Sequence, residues 1–169
     1  MNYLVIVLRL VHIIAGVFWV GSSLILYFFV TPAVAATGEA GQKLMAYLIT
    51  KANMSMRISA AAFLTMLAGI WLYIIDAGGP GSAWSSSGPG LGFGLGGLFA
   101  LIGLVFGMMV GANNKRLGVL ARDAQGKPSE QQMAQIKTIQ KRSSVVGPIS
   151  TVALILALIC MAAARYWIF

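Results

Sequence analysis

The sequence has little of what most enzymes use. Its one cysteine, Cys160, excludes an internal disulfide and a cysteine-built zinc or iron–sulfur cluster. Its one histidine, His12, excludes any site with two histidine ligands from a single chain. There are four acids, Glu39, Asp76, Asp123 and Glu130, and none falls in the middle of an apolar run. Hydrolytic catalysis and proton relay across a bilayer both lack their carboxylates. No glycine-rich loop ending in Lys-Ser or Lys-Thr is present to cradle phosphates. Charged residues make up only 9% of the chain, against roughly 25% in soluble domains. That scarcity excludes an ordinary soluble enzyme, a disordered chain and a nucleic-acid reader with a solvated basic face.

What is present is apolar surface. Hydrophobic residues are 59% of the 169, and the mean hydropathy is +0.85. A membrane-crossing helix needs about 20 apolar residues. Four stretches qualify, at about 4–30, 58–75, 91–112 and 145–168. They predict an all-α protein, a four-transmembrane-helix bundle forming a single integral membrane domain over 1–169 with the lipid bilayer as its main partner. The first run is far longer than the roughly 7–15 residues of a signal-peptide core, and Arg9 interrupts it, so it reads as a retained helix. An even number of crossings puts both termini on one side. Of the twelve basic residues, ten gather toward the other side: Lys43, Lys51, Arg57, Lys115, Arg116, Arg122, Lys127, Lys137, Lys141 and Arg142. Only Arg9 and Arg165 lie on the terminal side. The positive-inside rule then makes the basic side cytoplasmic. The expected location is a bacterial inner membrane, with both termini periplasmic. The net charge of +8 reads as orientation and attraction to anionic lipid, with no nucleic-acid partner.

The connections differ in kind. Residues 77–90, AGGPGSAWSSSGPG, form a turn-rich exterior loop whose Trp84 is expected at the lipid headgroups. Residues 113–143 form a basic cytoplasmic connection. Within it, Ser129 and Gln132 make a capping-box pair that opens a short surface helix, and Glu39 to Arg57 is expected to do likewise before the second span. Gly147-Pro148 is expected to bend the fourth span. In the third span Gly92, Gly96 and Ala100 recur every fourth position, as do Gly103, Gly107 and Gly111. Such spacing suits close helix packing or a ridge cleared for a ring or a lipid tail.

Polar residues at membrane depth are functional candidates by default. At helical spacing, one face of the first span reads Arg9, His12, Gly16, Trp19, Ser23, Tyr27. This face suits haem. His12 is a candidate axial ligand, Gly16 allows a porphyrin to approach the backbone, and Arg9 matches a propionate bidentately. At the same depth the other spans offer Met161 or Met66 as a sixth ligand and Arg165 as a second propionate partner. Five-coordinate iron is equally allowed. The plainer alternative has His12 hydrogen-bonded to a neighbouring helix and Arg9 snorkelling to the interface. Met54, Met56, Met108 and Met109, toward the cytoplasmic half, raise Cu(I) as a further ligand.

The first span also resembles the opening helix of the CopD-like superfamily of integral membrane proteins. The shared elements are Leu8 with His12 and Ile13, the step Trp19-Val20-Gly21, and Thr31-Pro32 at the exit. The second span is similar in its basic entry, Met56-Arg57-Ile58, and its exit, Gly69-Ile70-Trp71-Leu72. The likeness covers roughly residues 4–75. It implies several membrane helices and makes His12 the counterpart of a haem-associated histidine. Superfamily members include copper-resistance membrane proteins, a bacterial protoporphyrinogen oxidase that binds haem b, and a four-helix branch without known function, which this chain resembles most. A lysine expected in the third helix of the oxidase has no counterpart between Leu91 and Ala112, so the resemblance extends further to haem b binding than to oxidase activity. The expectation is a haem-b-binding or redox-associated module. The alternatives are a cofactor-free accessory or assembly subunit, acting as a homo-oligomer or in a larger membrane complex, and a copper-handling membrane protein.

Overall fold

Only helices and closed barrels satisfy every backbone group inside lipid, and long apolar runs without alternation select helices. The computed structural model describes residues 3–79, 82–124 and 129–168, and nearly all of them are helical. Helix α1 spans Tyr3–Ile25 and runs through a single π-helical turn, Leu26–Val30, into α2, Thr31–Thr37. Pro32 sits in the first turn of α2, directly after the π-helical turn, and the rod continues past it. Gly38, at φ 55°, ends the rod. The amphipathic α3, Glu39–Thr50, follows, with Glu39 and Lys43 paired one turn apart at 2.7 Å. Lys43 hydrogen-bonds Glu39 and so holds its carboxyl below the usual carboxylate range. Asn53, in the left-handed region at φ 50°, turns the chain into α4, Met54–Ala77.

The remaining elements are a short 3-10 turn, Ala83–Ser86, then α5, Gly88–Asp123, α6, Glu130–Ala163, and a last 3-10 turn, Ala164–Tyr166. Four rods are long and apolar enough to cross a bilayer: Tyr3–Thr37, Met54–Ala77, Gly88–Leu120 and Glu130–Tyr166. The first three outrun the expected boundaries at both ends, and the fourth starts earlier than expected but ends at Tyr166. The basic stretch after Ala112 is no open connection as far as Asp123, because α5 continues through it. The expected loop over 77–90 is helical from Gly88, where Pro89 occupies the first turn and Ser87 caps it, its hydroxyl accepting from the Gly90 N–H at 3.3 Å. The expected capping box is present: Ser129 Oγ accepts from the Gln132 N–H at 3.2 Å, and Gln132 Oε1 accepts from the Ser129 N–H at 2.9 Å. The helix it opens is no separate surface segment, since α6 runs from there through Gly147-Pro148 without interruption. Lys127 and Pro128 lie outside the described residues.

Helix α1 packs along α4, and α5 along α6; the two pairs join mainly through α4 and α5. Between helices in lipid, close van der Waals contact does the work that hydrophobic burial does in water, and the glycine ladder of α5 supplies it. A methyl group added at Gly103 would lie 2.6 Å from Leu154 Cδ2, and one at Gly92 would lie 2.8 Å from Ala164 Cα. Ser150 Oγ donates to the Gly103 carbonyl at 2.9 Å, a bond that needs this closeness. Leu154, 1% exposed, sits with Trp19, Val20, Ala61, Ala62, Ala100 and Ala157 in a plug of mostly small residues at the middle of the bundle. Toward the basic end, buried Asn113 donates from Nδ2 to Ser143 Oγ at 3.0 Å and ties α5 to α6.

Candidate ligand cavity between the helix pairs

Beyond the plug, toward the end that carries both termini, the two helix pairs part around a cavity of about 680 Å³. That lies within the range of roughly 300–1,000 Å³ typical of small-molecule sites. All four rods line it. The start of α1 contributes Arg9, His12 and Ile13, and the end of α4 contributes Met66, Gly69, Tyr73 and Asp76. From α5 come Phe93, Gly94 and Gly97, and from the end of α6 come Met161, Ala162 and Arg165. Of the five site residues expected from the sequence, Arg9, His12, Met161 and Arg165 therefore share one cavity, with Met66 beside them.

His12 is half-buried and fixed. Its Nδ1 lies 2.8 Å from the backbone carbonyl oxygen of Thr65 on α4. A carbonyl only accepts, so Nδ1 carries the proton and donates it. In the neutral ring Nε2 then holds the lone pair, and no bond to a described residue engages it. This is the tautomer and the type of support that metal-bound imidazoles show. Thr65 is itself buried and held, its hydroxyl donating to the Ala61 carbonyl at 2.8 Å. The imidazole can approach α4 only because Gly69 has no side chain: a methyl there would lie 2.7 Å from His12 Cε1 and 2.9 Å from Nδ1. Sequence reasoning found Gly69 as part of a span exit and missed this role, whose only signal is a glycine four residues after a threonine on the facing helix.

Gly16 has a different place from the one expected. It does not line the cavity; a methyl on it would lie 3.4 Å from Thr65 Cγ2, so it packs α1 on α4. The bare wall comes from α5 instead. Gly97 has open space where a side chain would project, and a methyl on Gly94 would lie 3.5 Å from the Tyr73 hydroxyl. The glycines of α5 thus serve two faces, one packed on α6 and one cleared toward the cavity. Trp19 belongs to the plug below, and Tyr27 reaches the opposite end, where its ring lies against Gly147. Trp84 lines the cavity too, with its ring edge-on to Tyr73 at 5.3 Å.

Arg9 and Arg165 are exposed at the mouth, and neither pairs with an acid among the described residues. Asp76 shares the lining and is likewise without an ion pair there. The set comprises one imidazole with a free lone pair, two thioethers, apolar and glycine walls, and two cations at the mouth. With Asp76 also in the lining, these groups could hold a largely apolar ligand whose anionic edge lies at the two guanidinium groups. Among the described residues no three His, Cys, Asp or Glu side chains converge on a point, so no cluster of that kind is present for a bare metal ion. Comparison with protein-family models, with curated proteins and with solved structures gives no match.

Proposed function

We propose that this chain is a small bacterial inner-membrane protein that binds haem b between its helix pairs, with His12 Nε2 as an axial ligand to iron. One observation carries the reading: the Thr65 carbonyl fixes the His12 tautomer inside a cavity whose mouth holds two unpaired guanidinium groups. Bound haem b would supply one-electron redox chemistry at its iron. The chain's own residues hold and tune it. Thr65 orients the imidazole. Arg9 and Arg165 would hold the propionates. Gly94 and Gly97 leave room for the ring, and the plug around Leu154 and Trp19 keeps water from entering below. Met161 and Met66 are the candidates for a sixth ligand. Ten of the twelve basic residues belong to the opposite end by sequence, which supports a periplasmic setting for the haem edge and both termini.

Haemin titrated into detergent-purified protein tests this. The expected result is a Soret band saturating at one haem per chain and sharp α and β bands on reduction. Well-folded protein that develops no Soret band refutes the reading. A second reading, an accessory subunit of a larger complex, draws on a groove of about 660 Å³ between α5 and α6, lined by Lys115, Arg116, Val119 and Ile139 among others. A partner copurifying at fixed stoichiometry with haem-free protein favours that reading instead.

A further inference from the structure

The cavity is roofed at the aqueous end and parted at its flank. The roof is the turn Ala83–Ser86. Ser87 Oγ donates to the Trp84 carbonyl at 2.6 Å, the Ser85 N–H donates to the Ser82 carbonyl at 3.1 Å, and Trp84 rests on Tyr73. Gly90 lies so close to the Trp84 carbonyl that no side chain would fit between them. The turn is therefore fastened to the start of α5. The flank is different. Helices α1 and α6 make few approaches; Tyr27, in the π-helical turn after α1, lies near Gly147 at one end, the plug joins the two helices in the middle, and at the other end both line the cavity. Four residues edge that gap, Arg9 and Ile13 on α1 and Ala162 and Arg165 on α6, and all four line the cavity while remaining exposed. Ile13 and Ala162 belong to apolar rods whose outer surface suits lipid. The two arginines sit one turn nearer the chain ends, the depth at which guanidinium groups reach lipid headgroups.

We infer that the slot between α1 and α6 is a side door, through which an amphiphile with a carboxylate head enters the cavity from the bilayer, head held by Arg9 and Arg165 and apolar body passing between Ile13 and Ala162. This rests on reading the cavity as a ligand site and adds the route and the class of ligand. The pairing of two unpartnered guanidinium groups with carboxylate is charge-assisted and bidentate, and at the membrane surface it selects an acid over the matching alcohol.

The test locks the door. In a Cys160→Ser background, Ile13→Cys and Ala162→Cys are joined by a reducible bis-methanethiosulfonate linker in phosphatidylcholine vesicles containing pyrene-labelled dodecanoic acid. Uptake is read as energy transfer from tryptophan to pyrene. The expected result is uptake slowed at least about tenfold by the linker, as a closed gate requires, and restored by reduction. Arg9→Gln with Arg165→Gln weakens uptake of the acid and leaves pyrene-labelled dodecanol unaffected. Equal rates in locked and reduced protein, no uptake by either, or no preference for the acid overturns the inference. Should the linker disturb folding, Ile13→Trp with Ala162→Trp narrows the same gap and is read the same way. Haemin in parallel separates the two claims. Haemin entering locked protein at the open rate refutes the door and leaves haem binding intact. Pyrene acid passing the door while haemin gives no Soret band refutes haem binding and leaves the door intact.

Discussion

His12 Nδ1 stands 2.8 Å from the carbonyl oxygen of Thr65, on a different helix and 53 residues away in sequence. That contact decides which ring nitrogen is free, and it exists because Gly69 leaves room beside it. Gly69→Ala drives a methyl into the ring, at 2.7 Å from Cε1. The expected cost is about 1–3 kcal/mol of stability together with loss or displacement of the haem spectrum. Gly21→Ala on α1, where a methyl meets nothing within 4 Å, leaves both unchanged. Thermal melting in detergent and a haemin titration check the pair.

The glycine ladder predicts a graded series. Gly103→Ala overpacks against buried Leu154 and is expected to destabilise by about 1–3 kcal/mol. Gly96→Ala meets the flexible Met161 thioether at 3.0–3.2 Å and costs less. Gly97→Leu, projecting into open space, preserves melting but fills the cavity and abolishes ligand uptake. Melting and uptake measured on the same three variants separate packing from binding.

The Asn113–Ser143 bond crosses α5 and α6 near the basic end. A double-mutant cycle with Asn113→Ala and Ser143→Ala is expected to return a coupling of about 0.6 kcal/mol, the average for polar pairs between membrane helices. A coupling near zero by melting would mean that the pair merely coexists.

Orientation has its own test. The start of α1 and the end of α6 share the cavity end, and the charge bias makes the other end cytoplasmic, so alkaline phosphatase fused after Phe169 is expected to be active, and a fluorescent protein inserted between Ala124 and Ser129 is expected to glow. The reverse pattern would place the basic end outside and move the cavity to the cytoplasmic leaflet.

Much of this was legible in the residues, because long apolar runs, capping chemistry and charge asymmetry are local or summed quantities. The four rods, the Ser129–Gln132 cap and the gathering of basic residues all follow from such signals. The face Arg9, His12, Trp19 came from helical period, and three partners on other helices came from matched depth. What failed was rotation of one helix about another. Gly16 sits on the same face as His12, but whether it meets a ligand or Thr65 depends on how α1 seats against α4, which no single helix encodes. The same is true of Gly69, whose role appears only when His12 is placed beside it. The continuation of α5 to Asp123 was hidden because charges mark where apolar lipid ends, and helices do not have to end there.

The most direct test of the central claim is chemical rescue of His12. His12→Gly removes the proposed iron ligand and leaves an imidazole-sized space facing Thr65. This variant is expected to show a weakened and shifted Soret band, and added imidazole is expected to restore the parent spectrum in a saturable manner. A His12→Gly protein whose haem spectrum and affinity match the parent without imidazole would contradict that claim.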